Sequence, residues 1–265
     1  MNDFFNEKAA KGIIEKMGHA DVTAANNVFA HINDINDVIS NVKLLLKKDG
    51  IFVIEVQYLV DTMEKMTFDN IYHEHLSYFT LTSLNYFFKK NGMEVFNVQR
   101  VDSHGGSLRV FIKKSEGKHE INEKAKKMLE YEKNIGIDNI AIYKKFANSV
   151  YKVKEKLTSY INGIKNQGKS IVGYGAPAKS TTLLNFCNIG NDFIDYIVDE
   201  NPLKMGLYTP GTHIPVVSPE MLDKKSPDYI LILAWNFTEE ILNKTKKYAG
   251  AGTRFIVPLP EPKIV

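Results

Sequence analysis

From residue 72 to residue 78 the chain reads Tyr-His-Glu-His-Leu-Ser-Tyr, two histidines, a glutamate and two tyrosines in seven positions. Three readings compete for it. The first is a metal site, which needs its ligands on one face. His73-Glu74-His75 is not the H-E-x-x-H pattern that sets two imidazoles one helical turn apart. In an extended chain His73 and His75 share a face with Glu74 opposite. A third ligand would have to come from His31 or His104, and no metal is expected. The second reading is acid–base chemistry. A neutral imidazole takes a proton from a weak carbon acid near neutral pH. A carboxylate orients such a ring, and a tyrosine hydroxyl donates to a developing oxyanion. Tyr72, Glu74 and His75 supply these three functions. The third reading is a polar turn whose tyrosines pack and whose histidines are solvated. The residues alone leave the last two open.

Two other stretches carry chemistry-bearing groups. "AANNVFAHIND" (24–34) sets Asn26, Asn27 and His31 on a strand-to-loop transition, at the carboxyl edge where open α/β sheets bind ligands. Turn hydrogen bonds from the two asparagines explain it equally well. "VGYGAPAKSTTLLNF" (172–186) reads as strand, glycine loop and helix, with Gly173 and Gly175 in the loop region and Lys179, Ser180 and Thr181 in the first helical turn. Such a junction offers backbone N–H groups and a helix dipole to an anion. It is not a P-loop, and G-x-G alone is a weak dinucleotide signal. Asp199 follows the next strand, where an acidic ribose partner is expected. The competing reading is a tight turn with no ligand. "SHGGSLRV" (103–110) is a glycine hairpin turn from which His104 and Arg109 can face a site. Cys187 has no paired histidine motif.

Alternating elements must position these groups. Residues 6–17 predict a helix and 20–29 a strand running into a loop. Residues 34–48 place Ile35, Val38, Ile39, Val42, Leu45 and Leu46 at helical spacing, with Asp34 as N-cap and Gly50 as stop. "IFVIEV" (51–56) is a strand and 81–90 a helix capped by Thr80 or Thr82. The runs 93–101 and 107–114 form a hairpin. A charged helical stretch follows, and from Lys169 a second alternation begins: strand SIVGYG, a helix from Pro177, strands FIDYIVD and YILILAW, a helix at 237–247 and strand RFIVPL. The expected domains are 1–116, a helical connector 117–167, and 168–265. The first opens on a helix with no preceding strand and glycine loop, like the second half of an open sheet.

The totals exclude several classes. The net charge of +3 over 265 residues, with lysines dispersed, leaves no nucleic-acid footprint. No segment approaches the roughly 20 apolar residues of a membrane span. One cysteine, Cys187, rules out an intramolecular disulfide and suits a reducing compartment, so the expected location is cytoplasmic.

Taken in order, "ANNVFAHI", "GIFVIEVQYLVD", "YHEHLSYFTLTSL", "HGGSLRVFI", "VGYGAPAKSTTLLNF" and "VDENPLKMGLYTPGTHIPVVSP" resemble the S-adenosylmethionine-dependent sugar C-methyltransferases over nearly the whole chain. The resemblance implies an α/β fold: part of a class I methyltransferase, Rossmann-like sheet with an antiparallel edge hairpin, then a smaller Rossmann-like domain. It lacks that family's N-terminal zinc domain and the strand and glycine loop that hold the cofactor. The implied activity is C-methylation of a nucleotide-diphosphate 4-keto-deoxysugar. In it His75 removes the C3 proton, Tyr72 and Glu74 stand beside it, and His31 hydrogen-bonds the substrate oxygen. Asn27 lies on the substrate side and Asn26 on the S-adenosylmethionine side. Gly173, Gly175, Lys179 and Ser180 hold the diphosphate. Alternatives are an inactive nucleotide-sugar-binding module, or half of a split enzyme whose other half is a separate chain.

Overall fold

The computed structural model describes residues 4–265. It divides into two units: residues up to Glu64 with His73–Ile142, and Lys65–Tyr72 with Tyr143–Val265. Both are mixed α/β.

The first unit begins with α1 (Glu7–Met17), whose N-terminus is capped by the Asn6 side chain accepting from the Ala9 N–H. Strand β1 (Ala20–Asn26) follows, then α2 (Ile35–Leu45) and β2 (Leu46–Gln57). Asp34 caps α2 as expected, accepting from the Asn36 and Asp37 N–H groups. The helix is shorter than its apolar spacing predicts, however, because Leu46 already pairs with Ala20. Gly50 is therefore no helix stop. It lies in β2, and a Cβ there would stand 2.9 Å from the Ala20 carbonyl oxygen, so the parallel crossing of β1 and β2 needs glycine. A short α3 (Leu59–Glu64) follows, then α4 (Leu81–Lys90). Thr80 and Ser83 cap α4 reciprocally, each side chain meeting the other's backbone N–H. β3 (Met93–Val101) and β4 (Ser107–Lys114) form the expected hairpin.

The sheet order is β1-β2-β4-β3, with β1 parallel to β2 and β4 antiparallel to both its neighbours. This is the partial Rossmann-like sheet with an antiparallel edge pair. Among the described residues, no strand pairs with the outer flank of β1. The core is built on Phe29, Ile39, Phe52, Ile54, Leu84, Phe88 and Val110, all fully buried or nearly so. The stretch 117–167 is two helices, α5 (Glu123–Asn134) and α6 (Ile140–Asn166). The first belongs to this unit; the second, from Tyr143 on, belongs to the other.

The second unit places Val153, Leu157, Ile161 and Ile164 of α6 in one apolar cluster with Leu183, Leu184, Ile197 and Leu231. Its elements are β5 (Ile171–Tyr174), α7 (Ala178–Cys187), β6 (Ile197–Val198), β7 (Val216–Val217) and α8 (Met221–Lys224). They continue with β8 (Tyr229–Ile232), α9 (Thr238–Lys244), α10 (Lys246–Gly250), β9 (Arg254–Val257) and β10 (Lys263–Ile264). The sheet order is β10-β9-β8-β5-β6-β7, parallel except for β10. The expected 237–247 helix is broken: a 3-10 turn at Trp235–Phe237 precedes α9, and Thr245 separates α9 from α10. The seven-residue strand expected at 193–199 contracts to Ile197–Val198, since only these two pair with both β5 and β7. β5 is flanked by β6 on one side and β8 on the other, so the chain reverses its winding there. The loops after β5 and β8 leave in different directions at that switch point, which is where open parallel sheets form a ligand crevice.

Candidate functional site

In the first unit the carboxyl ends of β1 and β2 set out two loops. At the first, Asn27 adopts a left-handed φ of 55°, a conformation asparagine tolerates better than most residues. Its N–H donates to the Glu55 carbonyl at 2.9 Å. This kink ends β1 and starts a 3-10 turn, Phe29–His31, in which Phe29 turns inward and His31 stays exposed. Phe29 is wholly buried, and its ring meets Phe79 at 5.5 Å, with Phe52 and Phe88 at 6.3 Å. Phe79 ends the second loop, where it bridges Tyr58 and accepts the Leu59 N–H. The two phenylalanines therefore fix both loops from beneath, and a Leu76 N–H bond to the Ala30 carbonyl at 2.9 Å ties them at the surface. The result is a pair of imidazoles, His31 and His75, with ring centroids 4.9 Å apart and planes inclined by 60°. Tyr78 stands edge-on to His75 at 6.3 Å.

The remaining residues of this stretch are arranged differently from an extended run. His73 and Glu74 occupy a turn, so the alternation expected of a strand does not hold there. The exposed Glu74 carboxylate lies 4.0 Å from His73 Nε2. Tyr72 is half-buried and groups with the second unit. Asn26, exposed at the end of β1, pairs through its backbone with Glu55. Among the described residues, no three His, Cys, Asp or Glu side chains converge as a metal-holding group. The His104 side chain lies outside the described residues.

Sequence reasoning passed over the buried ion pairs behind these loops. Glu55, near the end of β2, accepts two N–H bonds from Arg109, at 2.8 and 3.0 Å, on one oxygen and the Ser103 hydroxyl at 2.7 Å on the other. Arg109, expected to face a site, is thus held by Glu55. Asp61, on α3 and wholly buried, takes Arg100 Nε at 3.0 Å and Nη2 at 2.9 Å in a fork. Asp61 and Glu64 hold the Arg100 guanidinium firmly charged, raising its pKa despite its burial. Gly106, at φ 127°, lies directly on Asp61: a Cβ would come within 2.3 Å of the carboxyl carbon. So glycine at position 106 of the turn between β3 and β4 is required by the buried acid beneath it. A two-residue acid–arginine pattern has no fixed spacing, and no local signal announces it.

In the second unit the glycine loop is occupied mostly by its own structure. The Gly173 N–H donates to Tyr196 and the Gly175 N–H to Val198, so neither amide is open to a ligand. Both glycines are required sterically. A Cβ at Gly173 would stand 2.7 Å from Ile197, and one at Gly175 would stand 2.6 Å from the Ala234 Cβ. Asp199, expected as a ribose partner, instead pins the loop. Its carboxylate accepts the Ala176 N–H at 2.6 Å and the Asn201 N–H at 2.8 Å, while Lys204 lies 3.4 Å away. Ser180 is buried with its hydroxyl donated to the Pro177 carbonyl at 2.7 Å, closing the first turn of α7 rather than facing outward. What remains open at the helix start is the first pair of N–H groups, at Ala178 and Lys179, and the Lys179 ammonium. That ammonium rests on the Trp235 ring, 4.1 Å from its centroid, and burial lowers its pKa.

Comparison with known proteins decides the family. Residues 102–260 match the family described as C-methyltransferase C-terminal domain, and residues 2–98 match that described as methyltransferase domain. The chain belongs to the C-methyltransferase family. It is 39% identical over 261 residues to the C-methyltransferase NovU of Streptomyces niveus, covering 98% of this chain and 62% of that protein. The chain thus spans less than two thirds of this curated relative's length. Among solved structures, a SAM-dependent methyltransferase from Anabaena variabilis ATCC 29413 aligns over 42% of this chain and 56% of its own, at a TM-score of 0.32 and 14% identity. The M1.HpyAVI–SAM complex aligns over 43% and 55%, at a TM-score of 0.28 and 13% identity. Among the described residues, no helix is long and apolar enough to cross a membrane.

Proposed function

We propose that the C-methyltransferase chain acts on a nucleotide-diphosphate 4-keto-deoxysugar, removing the proton at C3 and directing the resulting enolate carbon to a methyl group. The observation that carries this reading is the His31–His75 pair, two imidazoles held 4.9 Å apart on the carboxyl edge of the first sheet. A 4-keto group acidifies the C3 hydrogen. His75, in neutral form, accepts that proton at a ring nitrogen. His31 donates a hydrogen bond to the keto oxygen as negative charge gathers on it. Proton loss at C3 and charge gain at O4 fall two bonds apart, on either side of C4, so two neighbouring rings suit them. Glu74 acts through the electrostatics of the His73–His75 segment. Asn27 fixes the substrate side of the loop. In the second unit Lys179, with the open N–H groups of α7, binds the diphosphate, and Gly173, Gly175 and Ser180 shape that loop from within.

S-adenosylmethionine, when bound, supplies an electrophilic methyl. This chain's residues fit one side of such a site: Asn26 stands exposed and polar at the end of β1. The loop that follows, residues 27–34, contains no glycine. We therefore assign only Asn26 toward the cofactor. The same reading puts the protein in the cytoplasm, where its single buried thiol stays reduced.

The test is transfer of labelled methyl from S-adenosylmethionine to a thymidine-diphosphate 4-keto-6-deoxysugar. Loss of at least about a hundredfold in rate for His75→Ala is expected from removing a general base. Transfer by His75→Ala at the wild-type rate overturns the assignment.

A further inference from the structure

Within the second unit, a buried acid stands next to the anion-binding lysine and takes no part in the chemistry proposed above. Asp69 lies on the 3-10 turn Phe68–Asn70 and is wholly buried. Its Oδ2 accepts the Trp235 Nε1–H at 2.6 Å, while Oδ1 is buried with no hydrogen-bond partner. The turn does not need this acid for its seat. Phe68 already anchors it in the apolar cluster, meeting the Phe186 ring edge-on at 5.5 Å, and the Ile71 carbonyl accepts the Thr182 hydroxyl at 3.4 Å. A half-satisfied carboxyl in such a place is costly, and an apolar side chain would dock the turn as well.

What the carboxyl does hold is the indole. Trp235 follows β8, at the switch point between β5 and β8, and Lys179 rests on its ring at 4.1 Å. Asp69, Trp235 and Lys179 form a line: acceptor, N–H and aromatic face, then cation. The long lysine stem has many rotamers, and the indole face selects one of them. The indole in turn is fixed in its plane by the single polar contact of its N–H.

We propose that Asp69 is a positioning residue for anion binding, fixing through the Trp235 N–H the aromatic face on which the Lys179 ammonium waits for the ligand's diphosphate. The inference rests on the reading that Lys179 meets that diphosphate. The electrostatics agree. Burial pushes the Asp69 carboxyl up to about 6, against the Trp235 hydrogen bond and the Lys179 charge, and the Asp69 charge helps keep Lys179 protonated against its own burial. Lys179 and Trp235 are the charged and polar side chains that act on Asp69; the backbone N–H groups of Asp69 and Asn70 complete its surroundings.

Trp235 is the one tryptophan of the 265 residues, so its emission reports this site alone. The experiment measures thymidine diphosphate binding to the full chain by calorimetry, alongside indole emission. Lys179→Met is expected to weaken binding roughly a hundredfold, and Asp69→Leu and Trp235→Phe each roughly tenfold. Combining the last two should weaken it no further, because each breaks the same line. Asp69→Asn keeps an acceptor for the indole and should retain wild-type affinity within about threefold. Emission should titrate with a midpoint near pH 6 in the wild type and lose that step in Asp69→Asn. If Lys179→Met binds as the wild type does, the diphosphate reading itself falls. If Lys179→Met weakens binding while Trp235→Phe and folded Asp69→Leu do not, the reading stands and the positioning role is wrong. Should Asp69→Leu fail to fold, Trp235→Phe alone decides. Full additivity in the double variant also overturns the proposal.

Discussion

Removing Asp61 tests whether a buried ion pair holds the glycine turn at the candidate site. Asp61 is fully buried and Arg100 grips both its oxygens. Breaking a buried pair by deleting one partner costs about 3–5 kcal/mol. Two features reduce that here. The Arg100 side chain is 34% exposed, so solvent screens its stranded charge, and Glu64 still reaches it. Asp61→Ala should therefore cost about 2–3 kcal/mol, or about 5–10 °C in the unfolding midpoint for a chain of this size. Gly106 lies against the Asp61 carboxyl, so the variant also opens a void beneath the 103–106 turn. Hydrogen exchange of the Gly106 amide, bonded to the Ser103 carbonyl, should quicken. The double variant Asp61→Leu with Arg100→Met removes both charges and should recover most of the loss. An Asp61→Ala cost under about 1 kcal/mol, or a double variant no better than the single one, refutes the argument.

Three further outcomes follow from the second unit. Gly175→Ala should cost about 3 kcal/mol in chemical denaturation, since φ 84° is strained for alanine and its Cβ meets Ala234; an unchanged midpoint contradicts the close approach. Cys187 is buried and its thiol is pushed up to about 11 by that burial, so iodoacetamide at about pH 7.5 should label it only as the chain unfolds. Labelling at the rate of a free thiol would contradict this. Asp69, with a folded pKa raised above its unfolded value, binds the extra proton in the native state. It therefore lowers stability above about pH 6, and the penalty fades as pH falls through 6 toward 4. Stability of the wild type relative to Asp69→Asn should rise by about 1–1.5 kcal/mol between about pH 7 and pH 5; a flat difference rejects the raised pKa.

Local signals were the ones the sequence made legible. The Asp34 and Thr80 caps, the strand at 51–56 and the 93–114 hairpin all rest on neighbours within a few positions, and the structure has them. The Tyr72–Tyr78 stretch was legible as chemically dense, but its geometry was not. The closeness of His31 and His75 depends on Phe29 and Phe79 packing together in the core. Contacts between distant positions were invisible: Arg109 to Glu55 is 54 residues away, and Trp235 to Asp69 is 166. The glycine loop was over-read for the opposite reason. G-x-G and a following serine suggest open donors, yet the Tyr196 and Val198 carbonyls take the two glycine amides and Pro177 takes the Ser180 hydroxyl. Only packing distances distinguish a glycine kept for a ligand from one kept for Ile197 or Ala234.

Removal of the C3 proton of a keto sugar by His75, as proposed above, is measurable apart from methyl transfer. The chain is incubated in deuterium oxide with a thymidine-diphosphate 4-keto-6-deoxysugar, and loss of the C3 proton signal is followed by NMR. Exchange well above the uncatalysed rate is expected, abolished in His75→Ala and slowed in His31→Ala. Exchange at C3 that is equally fast in His75→Ala, or no exchange beyond the uncatalysed rate with the wild-type chain, would contradict it.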